Sequence, residues 1–120
     1  KGDLVSAINE VDANADSKAD ALLTQDAAVT AFATGGNANA FELTAQINKV
    51  TVCATAGDSI KLPTGIAGTK IHVINRGIAA CNLFPAVGEY LFDLLDTADS
   101  IGVGVGKTYV CCSTGYWEAV

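Results

Sequence analysis

The stretch that decides the fold runs from Glu42 to Thr55, "ELTAQINKVTVCAT". Apolar and polar residues alternate along it, and β-branched side chains are frequent. A period of two puts successive side chains on opposite faces of an extended chain, so it reads as one long strand or two broken ones. The pattern continues towards the C-terminus. "AGD" (56–58) turns the chain into "SIKLP", and "TGIAG" (64–68) is a glycine-punctuated loop. "TKIHVINRG" (69–77) is a strong strand closed by Asn-Arg-Gly. "AACNLFPAVGEYLFDLL" then supplies a strand, a proline-containing turn and a second apolar run. "DTADS" turns, "IGVGVGKTYVCCS" gives one or two strands, "TG" turns again and "YWEAV" closes the chain. Short strands at regular turn spacing predict a mainly β fold, a small antiparallel sandwich or barrel. No duplicated repeat is visible.

Towards the N-terminus the period changes. In "LVSAINEVDANADSKADALL" (4–23), Leu4, Ile8, Val11, Ala15, Lys18 and Leu22 recur at alternating steps of four and three, the seam of a coiled coil. Alanine and leucine favour helix, and Asp3 suits an N-terminal cap or first turn. Val29 and Phe32 resume the spacing before Gly35 and Gly36 break it. The expected organisation is therefore an N-terminal α-helix acting as stalk or anchor (1–33), a Gly/Asn linker (34–40) and an antiparallel β-domain (41–120). The seam Leu4, Ile8, Val11, Ala15 and Leu22 is narrow for a helix packed on its own domain and suits a small bundle. A stretch of ~20 helical residues spans about 30 Å, and alone it is marginal in water. Lys18 at a seam position either pairs with acids of a neighbouring chain or marks where the bundle splays.

Charge follows the same division. The 120 residues carry a net charge of −6, and 17% are charged. Asp3, Glu10, Asp12, Asp16, Asp20 and Asp26 face only Lys1 and Lys18 before residue 34. An acidic balance argues against nucleic-acid binding through phosphate neutralisation. No apolar run reaches membrane-spanning length, so no membrane association is expected. No basic-then-apolar leader is visible, and the start at Lys1 leaves room for a longer natural chain.

Motifs that imitate chemistry fail on spacing. A phosphate loop needs four residues between its first glycine and Gly-Lys-Thr, but Gly102 leaves three before Gly106. A strand with Ile101, Val103 and Val105 on one face and the glycines on the other is the better reading. His72, the one histidine, shares a strand face with Lys70 and Ile74, and no nucleophile signature surrounds any cysteine. Asp93, Asp96 and Asp99 lie three apart but match no calcium loop, and read as a solvated turn. Zinc would want a paired-cysteine motif or more histidines. Cys53, Cys81, Cys111 and Cys112 read as buried free thiols, with a Cys53–Cys81 disulfide as the alternative. Expected, then, are no catalytic residues, no cofactor and no metal. Tyr109, Tyr116, Trp117, Phe84 and Tyr90 are either core or a sugar-stacking patch. Tyr116 and Trp117 are the candidate exposed binding patch.

Two parts of the chain resemble structural proteins of tailed bacteriophages. "KGDLVSAINEV" is similar to a segment recurrent in phage fibre proteins, where "LVxAINE" leads into a trimeric stalk. The run from "GDSIKLP" to "YWEAV" is similar to small β-domains of phage particles patterned "GTxVxVxNxGxxxxxVFPxxGxxI…aGKtxxFxcxxxGxW". Gly68-Thr69, Asn75, Gly77, Phe84-Pro85, Gly88, Gly106-Lys107, Gly115 and Trp117 match it. The four cysteines and the acidic "FDLLDTADS" depart from it and leave the particular partner open. The resemblance implies a non-enzymatic homotrimer on the virion surface, as a capsid decoration (cement) protein, head fibre or tail-fibre segment. Its partners would be its own copies, virion proteins such as the major capsid protein and, for a fibre tip, a host-surface glycan or receptor. It carries over no catalytic residues.

Overall fold

The computed structural model describes residues 25–33 and 36–120. Eleven strands run in chain order: β1 (Gln25–Thr30), β2 (Phe41–Glu42), β3 (Ile47–Val52), β4 (Ser59–Lys61), β5 (Lys70–Asn75), β6 (Cys81–Phe84), β7 (Tyr90–Leu91), β8 (Leu94–Leu95), β9 (Asp99–Ile101), β10 (Gly106–Ser113) and β11 (Tyr116–Ala119). They form a seven-stranded sheet in the order β1-β3-β5-β10-β11-β7-β8 and a four-stranded sheet in the order β2-β4-β6-β9. Successive strands alternate between the sheets from β1 to β6. Those in one sheet pair in parallel, β1 with β3 and β3 with β5, β2 with β4 and β4 with β6. Gln25 thus lies beside Ile47, and Ile47 beside His72. Three coils stack at a period of roughly 20–25 residues, the signature of a β-solenoid.

This corrects the expected antiparallel sandwich or barrel with a leading helix. Alternation and turn residues are shared by parallel and antiparallel strands. What differs is whether the chain at each turn reverses within a sheet or crosses to the opposite one, and here it crosses. No helix occurs among the described residues. Residues 25–30, read as the end of the stalk, form a strand whose Val29 is buried beside Val50. A strand pairing with β3 satisfies the backbone there better than an isolated helical turn would. Leu4, Ile8, Val11, Ala15 and Leu22 lie outside the described residues.

Stacked corners hold the coils in register. Asp58 Oδ2 accepts the amides of Ala54 (3.2 Å) and Thr55 (3.1 Å), turning the chain from β3 into β4. On the next coil Asn75, fully buried, accepts from Gly77 N–H at 2.9 Å and donates to the carbonyls of Ala79 (2.8 Å) and Ile101 (2.9 Å). The corners bond to each other. Ala31 N–H donates to Val52 O, Arg76 N–H to Val50 O, and Gly57 N–H to Ala80 O.

After β6 the direction reverses. β9 runs antiparallel to β6 and β10 antiparallel to β5, so this return arm covers the third coil. The turn Gly102–Val105 joins them, with Val105 N–H donating to Gly102 O at 3.1 Å and Gly104 at φ 77°. The expected glycine-striped strand is therefore a corner between sheets. Exposure of Val103 and Val105 follows from that. The turn locks onto the third coil through Gly104 N–H to Asn75 O (2.7 Å) and Asn75 N–H to Val105 O (3.0 Å).

The core fills the space between the sheets. Val29, Val50, Ile71, Val73 and Tyr109 point in from one sheet, and Ile60, Cys81, Leu83 and Ile101 from the other. Leu43 and Leu62 close the corners. Each large aliphatic chain buried this way contributes about 1.5–3 kcal/mol.

Candidate interaction surface

The seven-stranded sheet has more strands than the four-stranded one, and β11, β7 and β8 continue it beyond β10, with Trp117 and Leu91 still contributing to the core. β7 lies parallel to β11, held by Tyr90 N–H to Gly115 O (2.9 Å) and Phe92 N–H to Trp117 O (3.0 Å). Side chains alternate across this extension. Trp117 pairs with Leu91 on the inner side, and both are buried. Tyr116 pairs with Tyr90 on the outer side.

Trp117, at 1% exposure, cannot belong to an exposed patch, and that expectation is corrected. Its Nε1–H points to Glu89 Oε1 at 3.4 Å, and the same carboxylate accepts Gly65 N–H at 2.9 and 3.1 Å. Gly65 packs tightly here: a Cβ on it would lie 2.9 Å from both Cys111 Sγ and Trp117 Nε1. The indole is therefore a clamp between the loop at 62–69 and the sheet. Tyr109 is core as well, while Phe84 is half-buried.

Tyr116 does face out. It is 42% exposed and lies on the ring of Tyr90 with centroids 4.7 Å apart and planes within 6°. Tyr90 also pairs with Leu95 of β8, so Tyr116, Tyr90 and Leu95 form one row across the sheet. The β7–β8 connection displays more apolar surface. Leu91 pairs with Leu94, leaving Phe92 (φ 54°) and Asp93 (φ 63°) as a two-residue loop with both residues left-handed. This is the type I′ arrangement, which matches strand twist but usually takes Asn-Gly. Phe92 adopts it at a conformational cost and remains 38% exposed. Leu94 and Leu95 are each 53% exposed on the terminal strand. The loop beyond is tied back by Asp96 Oδ1, which accepts Gly88 N–H (2.7 Å) and the side-chain amide of Asn37.

Tyr116 is marked by its residue type next to Trp117, whereas Phe92, Leu94 and Leu95 read in the sequence only as an apolar run before a turn. Their exposure depends on how far the upper sheet outreaches the lower, which no local pattern encodes.

The remaining candidates have structural roles. His72 lies between Ile47 and Thr108 on the outer face, its Nδ1 2.7 Å from Thr108 Oγ1. Asp99 accepts from Tyr109 OH (2.7 Å) and Lys107 Nζ (3.0 Å). Burial, with Asp99 second, raises the Tyr109 phenol above its ordinary range. Asp93, Asp96 and Asp99 thus serve a turn, a loop tie and a core hydrogen bond. Among the described residues no group of histidine, cysteine and carboxylate side chains is placed to hold a metal ion. Cys53, Cys81 and Cys111 are buried free thiols, and Cys112 faces out from the opposite side of β10.

No family model, curated protein or solved structure matches this chain.

Proposed function

We propose that this chain is a non-enzymatic structural protein of a tailed-phage virion, working as a homotrimeric capsid decoration or head-fibre protein on the particle surface. The observation that carries the reading is the apolar overhang: Phe92, Leu94 and Leu95 stand exposed on a sheet extension whose last strand among the described residues is β8. Apolar side chains gathered at one edge of a small domain mark a contact with another chain. The first described coil adds Phe32 and Phe41, both exposed, and exposed apolar faces at the end of a coil stack call for a cover. The sequence resemblance supplies the virion context. Assembly of this kind works through buried area and through linkage of folding to association. The test is the solution mass of the full chain by light scattering after size exclusion. A trimer supports the reading, and a monomer at high micromolar concentration defeats self-assembly as its mechanism.

A second reading, a tail-fibre segment or fibre tip binding a host-surface glycan, is favoured by the Tyr116–Tyr90 stack, a flat aromatic surface of the kind on which a sugar ring packs. A glycan array with Tyr116→Ala as control separates the two. A signal lost in the variant favours the fibre tip, and silence across the array favours the structural role.

A further inference from the structure

We propose that Cys53 and Cys81 are a disulfide-forming pair that staples the second coil of the solenoid to the third. The two residues belong to different coils, Cys53 just after β3 and Cys81 at the start of β6. The backbone brackets them from both sides. Cys53 O accepts Ile78 N–H (3.2 Å) and Ala79 N–H (3.1 Å), so the chain leading to Cys81 is bonded to Cys53 itself. Beyond Cys81, Asn82 N–H donates to Asp58 O at 2.9 Å, closing the other side. Gly77 lies against Cys53 without a side chain of its own, which seats Cys53 deep in the corner. Both thiols belong to the same buried cluster, and the Cys53 Sγ–H is held by a long contact to Thr55 O at 3.8 Å. Cys111 is engaged elsewhere, its Sγ directed to Ser113 O at 3.1 Å, and Cys112 lies on the opposite face.

The oxidant required is a small-molecule disulfide. One cysteine thiolate attacks its S–S bond, forming a mixed disulfide and releasing one small thiol. The second thiolate then attacks the protein sulfur, forming the Cys53–Cys81 bond and releasing the other. The two electrons lost by the protein reduce the oxidant, and the two thiol protons end on the two released thiols. Burial raises both thiols above their ordinary range and limits the reactive thiolate in the folded protein. Exchange therefore belongs to the folding chain or to an opened corner. Once formed, the bond closes a loop of roughly 30 residues around the middle of the solenoid.

The full chain carrying Cys112→Ser is refolded from denaturant with oxidised and reduced glutathione, and in parallel with excess reductant. Expected are an intact mass lower by about 2 Da, a peptide map joining the Cys53 and Cys81 peptides, and an unfolding temperature several degrees above that of the reduced sample. Cys81→Ser should abolish both the link and the temperature difference. Free alkylation of both thiols after oxidative refolding overturns the proposal, as does a map joining either to Cys111. A mapped link with unchanged unfolding temperature overturns its role as a staple. The same map on the unaltered chain guards against a folding defect in the Cys112 variant.

Discussion

Gly77 sits against Cys53 so closely that a Cβ in place of its hydrogen would lie 2.6 Å from both the amide nitrogen and the Cβ of Cys53. The backbone of Gly77 is outside the left-handed region, so the demand is for space and not for a special conformation. Two corners of adjacent coils meet here, and neither can retreat without breaking the hydrogen bonds from Ile78 and Ala79 to Cys53 O. Gly77→Ala should cost about 1–3 kcal/mol as overpacking, read as a lower urea midpoint with an unchanged slope. Gly36→Ala, where a Cβ meets nothing, is the matched control.

Trp117 and Tyr116, adjacent in sequence, should part company on substitution. Trp117→Ala removes a buried indole and leaves Glu89 with one donor fewer, so a loss of about 3–5 kcal/mol is expected. Tyr116→Ala removes only the outer member of a stack, worth about 0.5–1.5 kcal/mol. Thermal unfolding of the two variants side by side checks this. Equal losses would contradict the burial of one and the exposure of the other.

Leu94→Lys with Leu95→Lys tests the overhang as the contact between copies. Both side chains are exposed, so the isolated fold should change by less than about 0.5 kcal/mol. The solution mass should fall below that of the unaltered chain under the same conditions. An unchanged mass would move the contact elsewhere on the protein.

The core should weaken in alkali. Burial, reinforced by Cys53, pushes the Cys81 thiol from an ordinary 9.0 up to about 12. Burial and Asp99 push the Tyr109 phenol upward from 10.0. In the unfolded chain both groups lose protons at their ordinary values while the folded chain still holds them. The unfolded state then binds fewer protons, and stability falls as pH rises. With reductant present, the contribution is intact below pH 9.0 and is lost progressively towards about 12. Urea melts at either end of that window should show the drop, and Cys81→Ala with Tyr109→Phe should flatten it.

Much of the strand content was legible because alternation is a local property. Ile71 and Val73 point inward and His72 and Ile74 sit half-buried on the outer face, as a period of two requires. Cys111 and Cys112 fall on opposite faces for the same reason. The coil repeat was not legible. Ile47 finds its partner at His72, but Phe41 finds its partner at Ile60, so the coils differ in length and no residue recurs at a fixed interval. The stretch 25–33 carries a misleading helical signal because Leu22, Val29 and Phe32 fall on heptad steps by spacing alone, while the pairing of Val29 with Val50 makes a strand of it. In "IGVGVG" the alternation is real, yet Asn75 bonds Ile101 O, Gly104 N–H and Val105 O and folds the run into a turn.

By itself the sequence determined that residues 41–120 would be extended segments broken by turns, with an acidic surface and without the spacing of any nucleotide or metal motif. Side-chain period, turn chemistry and charge are carried within a few residues and survive without knowledge of the rest. Only the tertiary structure decided that the chain crosses between sheets instead of reversing within one, that Trp117 is a buried clamp, and that Leu94 and Leu95 stand in the open. Those outcomes depend on which distant strand satisfies each backbone and which side chain covers each face, relationships set by long-range pairing.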